Sequence, residues 1–190
     1  DPGPITPRGS ASIDVTELHV DPTTPGRVYV VALVEGAHTL GAVDIQDLDA
    51  PGPLQVLHQV AGPAGAVAVV DEVAYIGFDG QLLLLDLSDL DDLGEPTALV
   101  PSDCGLTAGE AGVELRDLVV SDDRVILVGN GVWVIDVSDS QAPTELGYHD
   151  GGGGLVYTDV VVSGALGWLI ETVEGVGQFR GLDLAEPATP

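Results

Sequence analysis

Lysine and methionine are absent from this sequence, cysteine occurs once, and only five side chains, all arginine, carry a fixed positive charge against 31 acids. A formal net charge of −26 repels nucleic acid and anionic lipid, and no basic patch exists to offset it. The missing lysine fits GC-rich coding, and the acidity fits a high-salt habitat. Cation binding is the functional counterpart of both. Cys104 has no partner for an internal disulfide, and one thiol does not identify a redox compartment. Aromatic residues make up 4% of the chain, so a core has to be built from Val, Leu, Ile and Ala. No apolar run approaches the ~20 residues of a membrane helix, so membrane insertion of this segment is not expected. The first residue is not Met and no signal peptide precedes it, which reads as a processed or excised piece.

What the chain does contain is short and repetitive. Hydrophobic content of 45% and a mean hydropathy of +0.31 exclude a disordered polymer. Abundant valine with 26 glycines and 13 prolines suits short strands and many turns. A length of 190 residues is within the range of one domain. The clearest stretch is RVILVGNGVWVIDVSDSQAP (124–143), two apolar strands around a Gly-Asn-Gly turn and a tail running to a proline. Its tail recurs: VDIQD at Asp44, LDLSD at Asp86, IDVSD at Asp136 and LDLAE at Asp183, separated by 42, 50 and 47 residues. Seven residues after three of these acids stand Pro51, Pro143 and Pro190; in the second unit the proline slips to Pro96.

Two further strands precede each tail, for example LRDLVV (115–120) and VILVG (125–129), and an edge strand is expected after the proline in PLQVLHQV, PTALV and PTELGYH. Runs such as LLLL and VVV are apolar at consecutive positions, the pattern of strands buried on both faces. A four-stranded sheet achieves that when it is packed between two neighbours. The reading is all-β: a β-propeller of about four antiparallel blades, with units at 12–60, 61–103, 104–149 and 150–190. Part of a larger propeller is the alternative. A β-sandwich is weaker still, because it leaves the Asp–Pro spacing unexplained.

LLLLDLSD (82–89) and VWVIDVSD (132–139), with the AYIG and VILVG strands before them, resemble the LVIVD-repeat family of bacterial β-propellers. The resemblance is strong in the two middle units; Gln46 replaces the Ser in the first, and Ala185 and Glu186 stand there in the last. It implies a propeller of secreted or surface-attached proteins, with an extracellular, cell-surface or periplasmic location, and it implies no particular reaction. DPGPITPRGS at the start reads as a repeat tail. Either it supplies the outer strand of the last blade and closes a four-bladed ring, or the piece belongs to a larger ring; geometry favours closure.

The repeated acids Asp44, Asp86, Asp136 and Asp183 are expected to accept backbone N–H bonds in the following turn rather than to bind ligand. A sharper position precedes them. Aligning the units places Glu17, Asp117 and Asp159 together at the start of the innermost strands, with Val67 or Ala66 in the second unit. Three carboxylates converging on a channel mouth would repel unless a cation intervened, and Ca²⁺ is the cofactor suited to such oxygens. Against that, each acid can bond a neighbouring blade's backbone or pair with Arg116. DLSDLDDLGE (86–95) lacks the order of a calcium loop. The glycine run 151–154 lacks the lysine of a phosphate loop. His19, His38, His58 and His149 have no zinc spacing, and no G-x-S-x-G elbow is present, so no catalytic residue is assigned. Trp133 and Trp168 are read as occupying matching strands and packing between blades.

These readings point to a non-catalytic propeller that binds a protein or small ligand through loops 35–41, 101–112 and 172–178. A Ca²⁺-dependent propeller hydrolase or lactonase using Glu17, Asp117 and Asp159 is the enzymatic alternative. A spacer in a large surface protein is the structural one.

Overall fold

The computed structural model describes residues 15–20, 24–47, 49–60, 64–78, 80–100, 115–150, 155–173 and 176–185. These form four antiparallel sheets, taken in chain order as blades one to four, and no helix occurs among them. The first blade is β1 (Val15–His19), β2 (Arg27–Val34), β3 (Ala37–Asp44) and β4 (Gln55–Val60). The second is β5 (Ala64–Val70), β6 (Val73–Phe78), β7 (Gln81–Asp86) and β8 (Thr97–Leu99). The third is β9 (Asp117–Ser121), β10 (Arg124–Val128), β11 (Gly131–Asp136) and β12 (Thr144–Asp150). The fourth has three described strands, β13 (Val156–Ser163), β14 (Leu166–Val173) and β15 (Val176–Asp183). Every blade is a meander, so strand order in space equals order in sequence. The edge strands expected after Pro51, Pro96 and Pro143 are β4, β8 and β12. Residues 1–10, 101–112 and 151–154 and Cys104, to which the sequence analysis assigned roles, lie outside the described residues.

The first strands β1, β5, β9 and β13 neighbour one another in turn, which places them at the inner edge of a propeller-like stack. Alternation along each strand then divides every apolar run between two interfaces, because successive side chains leave opposite faces of a sheet. In the third blade Val125, Leu127, Trp133 and Ile135 pack toward the second blade. Their sequence neighbours Ile126, Val128, Val132 and Val134 pack toward the fourth. In the second blade Val67, Val69, Ile76 and Leu83 meet the first blade, while Ala68, Tyr75, Leu82 and Leu84 meet the third. Consecutive hydrophobic residues are thus a requirement of two-sided burial. Each fully buried Leu, Ile or Val contributes about 1.5–3 kcal/mol.

Polar contacts stitch the same interfaces at the inner edge. His19 donates from Nε2 to the Val69 carbonyl at 3.0 Å, tying the first blade to the second. The Tyr157 N–H donates to the Gly129 carbonyl at 2.8 Å, tying the fourth to the third. Between β5 and β6 the two-residue turn Asp71–Glu72 has positive φ at both positions, and Asp122 repeats this in the third blade with φ 52°. Asp tolerates that left-handed conformation better than most residues, and here it supports tight hairpins without glycine.

Candidate functional site

The four tail acids share one local geometry. Asp44, Asp86, Asp136 and Asp183 each accept through Oδ1 the N–H of the residue two positions on, at 2.8–2.9 Å. The intervening residue in each case donates its N–H to the turn between the blade's first two strands: Ile45 to Gly26, Leu87 to Glu72, Val137 to Asp123 and Leu184 to Ala165. These bonds are the chemistry of an Asx turn. The Ser88 N–H and hydroxyl hold the Asp86 carboxyl below its ordinary pKa, and the Ser138 hydroxyl and N–H, with Arg124 nearby, do the same for Asp136. A second acid, not singled out from the sequence, continues the pattern. Asp47, Asp89 and Asp139 accept the N–H bonds of Asp49, Asp91 and Gln141 at 3.0 Å.

The inner-strand acids stand in register. Glu17 lies opposite Val31, Asp117 opposite Val128 and Asp159 opposite Ile170, and the matching position of the second blade is Ala66, opposite Gly77. Register alone does not make a cation site. Among the described residues no group of three or more His, Cys, Asp or Glu side chains is placed to hold a metal ion. Glu17, Asp117 and Asp159, the alternative Ca²⁺ ring of the sequence, are not among such groups. The reason is visible at Asp117, whose Oδ1 accepts the Leu118 N–H at 2.9 Å and whose Oδ2 accepts the Val160 N–H at 2.8 Å across the blade interface. Its acceptor oxygens serve the neighbouring backbone, and Asp159 points to solvent. Burial, then the Asp159 charge, push the Asp117 carboxyl above its ordinary pKa against these two hydrogen bonds. Burial and the Asp117 charge push Glu17 the same way.

A cleft of about 720 Å³ opens between the third and fourth blades. Ile126, Leu146 and Leu184 supply its apolar lining, and its polar lining includes Asp122, Asp123, Arg124 and Asp136. Strand direction places it. β9 runs from Asp117 down to the Asp122–Asp123 turn, and β11 descends to Asp136, so the cleft and the inner-strand acids are at opposite ends of the blades. Of the expected binding loops, Glu35–Gly36 and the strand ends Val173 and Val176 lie at the Asp117 end, away from the cleft, and residues 174–175 lie outside the described residues. Arg124 crosses the interface and donates from Nη1 to the Leu184 carbonyl at 2.7 Å. Sequence reasoning passed over this residue as a strand start. Its signal was scarcity, one of five basic side chains in an acidic chain.

The tryptophans are not equivalent. Trp133 lies on the third strand of its blade, buried and stacked on Tyr148 with ring centroids 5.1 Å apart. Trp168 lies on the second strand of its blade and is half exposed.

No protein-family model matches the chain, and no curated protein does. Among solved structures, a protein from Lactobacillus plantarum determined by a structural genomics consortium is similar in fold, with a TM-score of 0.62 at 17% sequence identity. The match covers 87% of this chain and 54% of that one, so the chain spans about half the length of that structure.

Proposed function

We propose that the chain is a non-catalytic binding module of an extracellular, cell-surface or periplasmic protein, engaging its ligand in the cleft between the third and fourth blades. The observation that carries this reading is the composition of that cleft. Three carboxylates, Asp122, Asp123 and Asp136, surround one guanidinium, and Arg124 is already engaged by the Leu184 carbonyl. An excess of acid over base in a concave site disfavours anions and favours a basic or neutral hydrogen-bonding group. A volume near 720 Å³ is within the range of small-ligand sites. A basic segment of a partner protein fits both the cleft and the net charge of −26. The extracellular setting rests on the repeat resemblance of residues 82–89 and 132–139, and fractionation of the source cells tests it: a purely cytosolic protein overturns that part.

Chemical-shift mapping with a lysine-rich peptide, at about 150 mM salt so that long-range attraction is screened, tests the site. Perturbations should cluster on 121–124, 136–138, 164–165 and 184–185, and weaken in Asp123→Asn. Shifts spread evenly over the acidic surface, or unaltered by Asp123→Asn, would mean that the cleft is not the site.

A further inference from the structure

The cleft between the third and fourth blades is a departure from the repeat. At the same corner between the second and third blades stand Val70 and Val73, paired across the first hairpin as Ser121 and Arg124 are paired in the third blade. Val70 and Val73 pack with Val137 into the apolar core that joins those two blades. In the third blade the two positions are polar, and the residue facing them is Leu184, the counterpart of Val137 in the tail of the fourth. A corner that the repeat closes with valine is here a cleft with a blade on either side.

The polar groups of this cleft are only partly used. Arg124 gives Nη1 to the Leu184 carbonyl, and among the described residues its guanidinium makes no other hydrogen bond. A guanidinium carries five N–H donors in a planar fork, so the rest remain for a ligand. Among the described residues the carboxylates of Asp122 and Asp123 have no hydrogen-bond partner either. Asp136 gives Oδ1 to the Ser138 N–H and stands beside Arg124. The cleft thus offers open acceptors, open donors on one guanidinium, and an apolar lining of Ile126, Leu146 and Leu184.

We propose, resting on the reading that the cleft takes a basic partner, that Arg124 is its specificity-determining residue and that the ligand is a lysine inside a peptide chain, read together with its own main-chain carbonyl. Asp122 and Asp123 receive the ammonium, a compact charge with three donors. The apolar lining takes the aliphatic stem, which lysine buries readily while its head stays polar. Arg124 donates its remaining N–H groups to the carbonyl. A free carboxylate there would stand against Asp136 and the excess of acid in the cleft, whereas a neutral carbonyl accepts the same bonds without a second negative charge.

NMR titration of the 190-residue chain at ~0.15 M salt tests this with three probes. They are Nα-acetyl-lysine N-methylamide, pentylammonium, which has the same cation and stem without an acceptor, and Nα-acetyl-lysine with its free carboxylate. The methylamide should bind about tenfold more tightly than pentylammonium, and more tightly than the free acid. Arg124→Lys keeps a donor for the Leu184 carbonyl but not the fork, so the ratio between methylamide and pentylammonium should fall toward one. Because that variant can also fail to fold, the wild-type Arg124 Nε–H resonance gives an independent reading: it should move with the methylamide and stay in place with pentylammonium. Equal affinities for the two, both weakened by Asp123→Asn, overturn the role of Arg124 and leave the basic-ligand cleft standing. A folded Arg124→Lys protein that retains the preference does the same, and tighter binding of the free acid overturns the neutral carbonyl. No shift at the cleft with any probe overturns this inference and the cleft reading together.

Discussion

Replacing Asp117 by Ala removes both carboxylate oxygens that receive the Leu118 and Val160 N–H groups at 2.9 and 2.8 Å. Val160 is buried, and its N–H meets an acceptor from the neighbouring blade. Leaving such a donor unpaired costs about 1–3 kcal/mol. An opposing effect comes from the charge itself, since burial and the nearby Asp159 both disfavour the ionised carboxyl and raise its pKa. Asp117 is only partly buried, so solvent screens that repulsion and its relief is worth under about 1 kcal/mol. The hydrogen-bond loss wins, and Asp117→Ala should be destabilised by about 1–2 kcal/mol at neutral pH.

Linkage sets the pH dependence. With its pKa raised on folding, the native carboxyl binds more protons than the unfolded one between the two pKa values. Its contribution is therefore fully present below the unfolded pKa and is lost as pH rises through the folded one. The gap between wild type and Asp117→Ala should shrink as pH rises from about 4, the ordinary Asp value, through the raised folded value, and then stay level. Asp117→Asn retains one acceptor without the charge, so it should lie between the two, and its gap to Asp117→Ala should not change with pH. Urea unfolding followed by circular dichroism at several pH values measures all three. An Ala variant as stable as wild type at neutral pH, or a gap that widens with pH, refutes the reasoning.

Other perturbations test different parts of the structure. The Tyr157 hydroxyl is buried without a hydrogen-bond partner among the described residues, so Tyr157→Phe should match or exceed wild type by up to about 1 kcal/mol in urea unfolding; a loss would reveal a partner for the hydroxyl. A Cβ on Gly65 would sit 1.8 Å from the Leu115 carbonyl oxygen, where the second and third blades meet. Gly65→Ala should therefore lose about 1–3 kcal/mol, seen as a lower thermal midpoint, and a neutral effect would mean that the blades are less closely apposed. Calcium at ~1 mM should raise Tm no more than magnesium does, because Asp117 gives its oxygens to the Leu118 and Val160 N–H groups. A calcium-specific rise abolished by Asp117→Asn would reinstate the Ca²⁺ ring.

Much of the blade was legible because its determinants are local. Asp136 and Ser138 close a turn within three residues, and the alternation of Val125, Ile126 and Leu127 between two faces follows from strand geometry alone. The equivalence of Glu17, Asp117 and Asp159 was likewise readable from the repeat. What these acids do was not, because the acceptor role of Asp117 depends on Val160, 43 residues away on another blade. The two tryptophans failed for a similar reason: spacing within a unit did not reveal that Trp133 and Trp168 lie on strands of different rank.

The sequence by itself determined an all-β repeat, its strand pattern and its turn acids, since periodicity two and Asx turns act over a few residues. Only the tertiary structure decided where carboxylates meet backbone across an interface, where Arg124 reaches over to the Leu184 carbonyl, and which apolar side chains are exposed. Those outcomes depend on how one sheet is seated against the next. Ile126 is buried beneath the fourth blade, while Trp168, on the second strand of the fourth, is half exposed.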